Sequence, residues 1–393
     1  MAARPVLASG PRYPLCDACA ERQGGREEFD REREGAGGGE GRGGGGGGEC
    51  FVCRGLTSRF PEVERSVVRR VKGYQFRTFS VGVIIPAGIQ EREDQLRSDL
   101  QIRGRETIKA QLGRGIAEAV RRGLRGKKVD RQHPDLMVLA DLERGEVSVA
   151  ARSVFVYGRY TKPPGVAQKK ELCEECRGRG CGLCDGGFRR EVSVERVLED
   201  RLGRALRAER AKFTWMGSED PESIVFSPGR PFIAEVKGPR KREVPARIVA
   251  RTGKGAMKVT GLRVLRGRPT AIPSFTFKTR AFIRSEGGRL EGLPAGLAGA
   301  MRRAPIQFRN SKGKTVNKRV YSLRVRKRRG AAGGGGGGLV AEIKLDGGLP
   351  VKRLISGGSV SLSLAELLKT PLSCQRFDIL RVWESGSFKF GEV

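Results

Sequence analysis

The chain has 393 residues, 38% of them hydrophobic, too long for one core and suited to two or three domains. Lys and Arg total 77 against 44 Asp and Glu, a formal charge of +33, and that excess favours a polyanion, since each neutralised phosphate releases condensed counterions. A single histidine, His133, leaves serine and cysteine triads without support, and no apolar run is long enough to span a bilayer.

Residues 1–60 read as a small module with little core of its own. Cys16, Cys19, Cys50 and Cys53 make CxxC…CxxC around a charged, glycine-rich insert that ends in Gly43–Gly48 and should be a flexible loop. The first 20 residues hold Arg4, Pro11, Arg12 and Pro14 and no apolar stretch of a secretory signal, so a cytoplasmic location is expected. In a reduced compartment such pairs are zinc ligands rather than disulfides, and tetrahedral thiolates would supply folding energy to the module.

Residues 61–165 read as an α/β domain. Phe79, Val81, Val83 and Ile85 alternate as in a half-buried strand, and Ile108, Leu112, Ile116, Ala119 and Val120 then share one helical face. Three more strands follow, at 137–139, at Val147 and Val149, and at 154–156, with Gly145 at a turn. Residues 166–190 hold the second quartet, Cys173, Cys176, Cys181 and Cys184, whose short spacer with Gly178 and Gly180 predicts a tight knuckle. Neither quartet has a histidine or an open ligand position, so one or two structural zinc ions are expected.

Residues 191–393 begin with a helix capped by Ser193, with Val194, Val197, Leu198, Leu202 and Leu206 on one face. Strand-like runs at 232–236, 275–283, 321–325 and 339–343 then alternate with turns, and a helix is expected over Leu362–Leu368. This is mostly antiparallel β-sheet with flanking helices, so the whole is an α+β multidomain chain. Gly333–Gly338 is a second glycine insert, Cys374 is expected in the core, and basic clusters stand at Lys237–Arg242 and Arg324–Arg329. Several such clusters fit an RNA groove, and an aromatic content of 6% favours reading a folded RNA's shape over a many-base stacking platform. A charge-rich thermophile surface, the alternative, usually mixes both signs. The acidic turn GSED, Gly217–Asp220, is by itself an ordinary solvated loop.

The order of motifs changes that. FSVGVIIPAGIQEREDQLRSDLQIRGRETIKAQL, HPDLMVLADLERGEVSV and SVFVYGRYTK, followed by CxxCxGxGCxxC and Ser193-Val194-Glu195, are similar to the archaeal tRNA pseudouridine-54/55 synthases. Gly217–Asp220 with Gly229–Phe232 matches that family's G-R-E-D turn closing on G-R-P-F, and GGLPVKRLISGG and CQRFDILRV resemble its last core motifs. The resemblance covers the chain apart from its glycine inserts. It implies an RNA-binding THUMP-containing domain at 61–165 and a pseudouridine synthase catalytic domain at 191–393. It also implies an isomerase that turns uridine into pseudouridine at tRNA positions 54 and/or 55, on a uridine extruded into the pocket. Asp220 would be the nucleophile and Lys352 the cation that keeps it ionised, with no organic cofactor. The chain departs from the family at Ser218, where an arginine is usual, and at Thr279, where a base-stacking tyrosine is usual. Arg230 or another base is expected to take over the first role, and Phe277 or Phe282 the aromatic face. A monomer that binds tRNA and no membrane is expected. Two other readings remain open from the residues. One is a different THUMP-type tRNA-modifying enzyme, against which no methyl-donor or pyrophosphatase loop is found. The other is a non-catalytic zinc RNA-binding or chaperone protein.

Overall fold

A computed structural model describes residues 13–24, 49–189, 192–286, 292–303, 305–310, 313–328 and 338–391. The glycine insert ending in Gly43–Gly48 and all of the second one except Gly338 lie outside these residues. The chain divides into two compact units, Met1–Arg152 and Ser153–Val393.

The first unit runs α1 (Asp17–Gln23), α2 (Leu56–Val71), β1 (Thr78–Ile84), α3 (Ala87–Asp99), α4 (Ile108–Gly123), β2 (Lys128–Val129), β3 (Leu136–Asp141) and β4 (Glu146–Ala151). Its sheet has the order β2-β1-β3-β4, parallel except for the β3–β4 hairpin turned at Gly145. The periodic face of α4 is buried as its sequence predicts, and Thr107 caps the helix by accepting from the Ala110 amide. The first cysteine quartet is no separate module, because Cys19, Cys50 and Cys53 share one apolar cluster with Val67, Phe79, Leu112 and Leu136. Helix α2 runs unbroken from that quartet into the α/β layer, across Pro61. A buried polar cluster ties the same parts together. Arg22 donates to Glu93 (2.9 Å) and to Gln111 (2.8 Å), while the Glu93 carboxylate accepts the Ile108 amide at the start of α4. A carboxylate there meets both the orphan amide and the positive end of the helix dipole.

The second unit opens with β5 (Val154–Lys162) and continues with α5 (Val194–Leu206), β6 (Arg210–Trp215), β7 (Val225–Lys237), β8 (Ile248–Thr252), β9 (Gly255–Val264), β10 (Pro269–Ala271) and β11 (Ser274–Ser285). Then come α6 (Leu297–Arg303), β12 (Ile306–Arg309), β13 (Thr315–Lys318), β14 (Val320–Arg328), β15 (Gly338–Asp346), α7 (Val351–Ser356), α8 (Leu364–Leu367), β16 (Leu372–Ser385) and β17 (Lys389–Phe390). Strand β5 follows β4 closely in sequence, yet it pairs with β7 and β9 in this unit's sheet. Gly338, expected at the end of the insert, starts β15 instead. The main sheet has the order β14-β15-β11-β16-β7-β5-β9-β8, with β6 also on β7. Its two halves meet at a thin seam, since β16 and β7 share the single parallel register pair Ile379↔Val225. The buried Asp378 carboxylate stitches that seam by accepting the Ile224 amide at 2.9 Å. Ser193 caps α5 as expected, and a Ser363–Glu366 capping box starts α8.

Candidate active site

The loop between β6 and β7 sits beside this seam, and polar side chains rather than apolar packing hold its shape. Gly217 lies at φ +89°, and a Cβ there would fall 2.4 Å from the Arg230 guanidinium, so only glycine fits. Arg230, buried on β7, donates to Met216 O (2.7 and 3.1 Å), Ser218 O (3.2 Å) and Glu219 Oε2 (2.6 Å). The same guanidinium lies 5.2 Å over the Phe277 ring. The other Glu219 oxygen accepts from the Tyr160 hydroxyl at 2.7 Å, and Gln168 donates both to that hydroxyl (2.8 Å) and to Gly217 O (3.2 Å).

Lys162 secures the far side. Its ammonium donates to the carbonyls of Asp220 (3.1 Å), Pro221 (2.9 Å) and Ser223 (2.6 Å). Burial pulls its pKa down to about 8, while Glu219, Glu222 and Asp220 pull the other way. Burial and the adjacent Glu219 charge push the Tyr160 hydroxyl well above its ordinary range.

Adjacent carboxylates thus meet opposite conditions. The Glu219 side chain has 0% exposure and both oxygens partnered, whereas that of Asp220 is 30% exposed. Asp220 Oδ1 meets Lys352 Nζ at 2.8 Å, and Oδ2 is buried with no hydrogen-bond partner among the described residues. An unpaired buried carboxylate oxygen is costly, and nothing in the fold's own hydrogen bonding accounts for this one. Lys352 stands on α7, set into the core by buried Val351, Leu354 and Ile355. Around the pair opens a cleft of about 410 Å³, lined by 217–220, Arg230, Phe277, Thr279, Leu345, 348–353, Phe377 and Ile379. Cys374 is half-buried nearby. Burial pushes its thiol up to about 12, against a pull from Lys352 and with a push from Asp220.

Of the residues expected from sequence, Asp220, Lys352, Arg230, Phe277 and Thr279 all line this cleft. Two differ from expectation. Arg230 spends its donors on the loop itself, which leaves it a poor substitute for a substrate-contacting arginine. Phe282 faces away, because inward positions on β11 are the odd-numbered ones, and its ring lies 4.4 Å under Arg376 on the other side. Thr279 is buried, with its hydroxyl donating to Ile343 O at 3.5 Å, so the aromatic lining of the cleft comes from Phe277 and Phe377. Tyr160, Lys162 and Gln168 were not singled out from sequence. The one available sign was a lysine at the next inward step of β5 after Val154, Val156 and Tyr160.

Each cysteine quartet brings its sulfurs within 4.8 Å of one another. A tetrahedral site with metal–sulfur bonds of about 2.3 Å needs sulfur–sulfur edges of roughly 3.8 Å. The edges Cys16–Cys53 (3.6 Å), Cys173–Cys181 (3.9 Å) and Cys176–Cys184 (3.7 Å) meet that requirement, so both quartets could hold a metal ion such as zinc. Thiolate charge is further met by Arg22 and Thr57 at the first quartet and by the Gly180 and Gly187 amides at the second.

Comparison with known proteins defines the class first. Residues 64–141 match the archaeal Pus10 THUMP domain, and residues 155–267 match the Pus10 C-terminal domain. Similar proteins include the tRNA pseudouridine synthase Pus10 of Cenarchaeum symbiosum, 31% identical over 378 residues, covering 93% of this chain and 89% of the relative. Those of Korarchaeum cryptofilum (32%, covering 85% and 92%) and Nitrosopumilus maritimus (26%, covering 93% and 94%) share the same name. The chain belongs to the Pus10 family of tRNA pseudouridine synthases, which are isomerases. Among the described residues no helix is long and apolar enough to cross a membrane.

Proposed function

We propose that the protein isomerises uridine to pseudouridine in the TΨC arm of tRNA, at position 54, 55 or both, with Asp220 as nucleophile. The observation that carries this reading is the 2.8 Å pair of Asp220 and Lys352 in the cleft, with the Asp220 side chain 30% exposed. A uridine flipped out of the folded arm would enter that cleft against Phe277. The Asp220 carboxylate adds to uracil C6 or to the ribose anomeric carbon, and the N1–C1′ bond breaks. The uracil turns, a C5–C1′ bond forms, Asp220 departs, the C5 proton passes to solvent and N1 takes one up. No atom is gained or lost, which suits a site built from carboxylate and ammonium alone. Lys352, whose side chain is 49% exposed, offsets the carboxylate charge as substrate displaces water. The two cysteine quartets would carry structural zinc.

The test is tritium release from tRNA labelled at uridine C5, with no cofactor added. Release confined to the TΨC arm is expected. A protein that binds this tRNA and releases no tritium refutes the reading.

A further inference from the structure

The sheet that lines the cleft has a second face. Phe277, Thr279, Leu345 and Ile379 point into the cleft, so the residues between them on β11, β15 and β16 point the opposite way. Strand β14 extends that outer face with Arg324, Arg326 and Arg328 at alternate positions, opposite Glu342, Val340 and Gly338 of β15. In a β-strand such positions lie about 6.7 Å apart. Across the sheet Lys344, Lys278 and Arg381 fall in one row, and Phe282 stands opposite Arg376 in another.

Few negative charges answer these cations. Glu342 is shared by Lys278 (3.2 Å) and Arg280 (2.8 Å). Asp378 is buried and 3.9 Å from Arg376, and Asp346 takes the Arg319 amide and the Tyr321 hydroxyl. Three aromatic rings stand among the cations, one of them Tyr321, 5.9 Å from the Lys344 ammonium and tied by its hydroxyl to Asp346. Trp383 lies beneath Lys344 (4.8 Å) and Arg381 (5.5 Å), and Phe282 beneath Arg376 (4.4 Å) and Arg328 (5.9 Å). Trp383 is level with Thr276, six residues along β11 from Phe282, or roughly 20 Å.

We propose that this outer face binds a single-stranded segment of RNA, with phosphates on the arginines and lysines and bases against the Phe282 and Trp383 stacks. Surplus positive charge on a sheet face suits a phosphate backbone, and rings set between cations add the stacking that a sequence-tolerant strand can use. An acidic protein segment would satisfy the charges and leave the rings unused. The inference goes beyond the isomerase reading, because it does not depend on what Asp220 does.

The experiment measures fluorescence anisotropy of a labelled twelve-nucleotide polyuridine RNA on the full chain. It compares wild type with Arg324→Gln/Arg326→Gln/Arg328→Gln/Arg381→Gln and with Phe282→Leu/Trp383→Leu. Loss of four phosphate contacts should weaken binding about 10- to 100-fold and flatten the log–log salt slope by roughly 3. The ring variant should weaken binding about tenfold with the slope unchanged. Tritium release from a free TΨC stem-loop should be unaffected in both, so failure of this surface is separable from failure of the isomerase. An unchanged Kd and slope in the charge variant, or polyglutamate binding as tightly as the RNA, overturns the proposal. Photo-crosslinking of 5-iodouridine RNA to the wild-type chain gives an arm free of folding effects. Crosslinks on β14 and β16 support the surface, and crosslinks confined to the cleft loops refute it.

Discussion

Two irregular segments of the second unit are pinned by different means. The loop from Met216 to Ile224 is held by buried ions and hydrogen bonds, with Arg230, Lys162, Tyr160 and Gln168 converging on its carbonyls and on Glu219. Among the described residues the knuckle around Cys173–Cys184 has no apolar core beyond its own sulfurs, since its buried cluster consists of Cys173, Cys176 and Cys184. Its turns are so tight that a Cβ on Gly187 would lie 2.4 Å from the Gly178 carbonyl. A side-chain framework that fixes a carboxylate is costly to break, whereas a four-thiolate knuckle that held a metal ion would be local and separable.

The largest effect expected is at the open carboxylate. Asp220→Asn keeps the shape of the side chain and removes its nucleophilicity, so turnover should fall by about 10⁴-fold or more with tRNA affinity and melting temperature nearly unchanged. Glu219→Gln, one residue earlier, should behave differently and lose stability along with activity. If single-turnover tritium release ranked the two variants equally, the distinction drawn between these neighbours would be wrong.

Arg230 tests the framework itself. Arg230→Met would strand Glu219 in a buried site with one oxygen unpaired, at a cost of roughly 3–5 kcal/mol. Urea unfolding should show this loss, and adding Glu219→Gln to the same chain should recover part of it. A strictly additive double mutant would mean that the ion pair does not organise the loop.

Lys162 predicts a pH dependence. Its folded pKa of about 8 lies below the ordinary lysine value of 10.5. The unfolded chain therefore binds the extra proton between pH 8 and 10.5, and this group alone makes stability rise with pH across that window. Activity should move the other way. A neutral amine has two N–H donors for three carbonyls, so the loop loosens and kcat falls above about pH 8. Lys162→Arg keeps the charge at all these pH values and should remove that alkaline limb, so a limb that persists in this variant belongs to another group.

Much of this was visible in the sequence, though unevenly. Period-two strands such as β11 and the apolar face of α4 follow from spacing alone, and the quartets follow from CxxC pairs. Helix α2 was missed because Pro61 and a run of charges blur its period, and only Leu56, Val67 and Val71 are buried. Strand β5 was grouped with its sequence neighbours because nothing local says which sheet it joins. The loop framework was hidden for a deeper reason. A buried lysine or arginine is chemically the same residue as an exposed one, and only tertiary contacts with carbonyls and Glu219 turn Lys162 and Arg230 into struts.

The smallest effect expected is at the second quartet, and the first supplies the contrast. Cys176→Ser should release one metal ion, since a hydroxyl is a poor replacement for a thiolate in a four-sulfur site. The Gly180 amide, which points at that sulfur at 3.2 Å, would lose its acceptor, and the knuckle would open locally. Helix α5 has its own Ser193 cap and its own apolar face, so it should persist. Cys19→Ser should do much more, because Cys19 is fully buried in the core of the first unit beside Arg22 and the Glu93 cluster. Metal analysis with hydrogen exchange separates the two cases. Cys176→Ser should deprotect residues around 172–188 and change turnover only a few-fold, while Cys19→Ser should deprotect α1, α3 and the start of α4 together. Equal, unit-wide loss of protection in both variants would show that the second knuckle is part of a core after all.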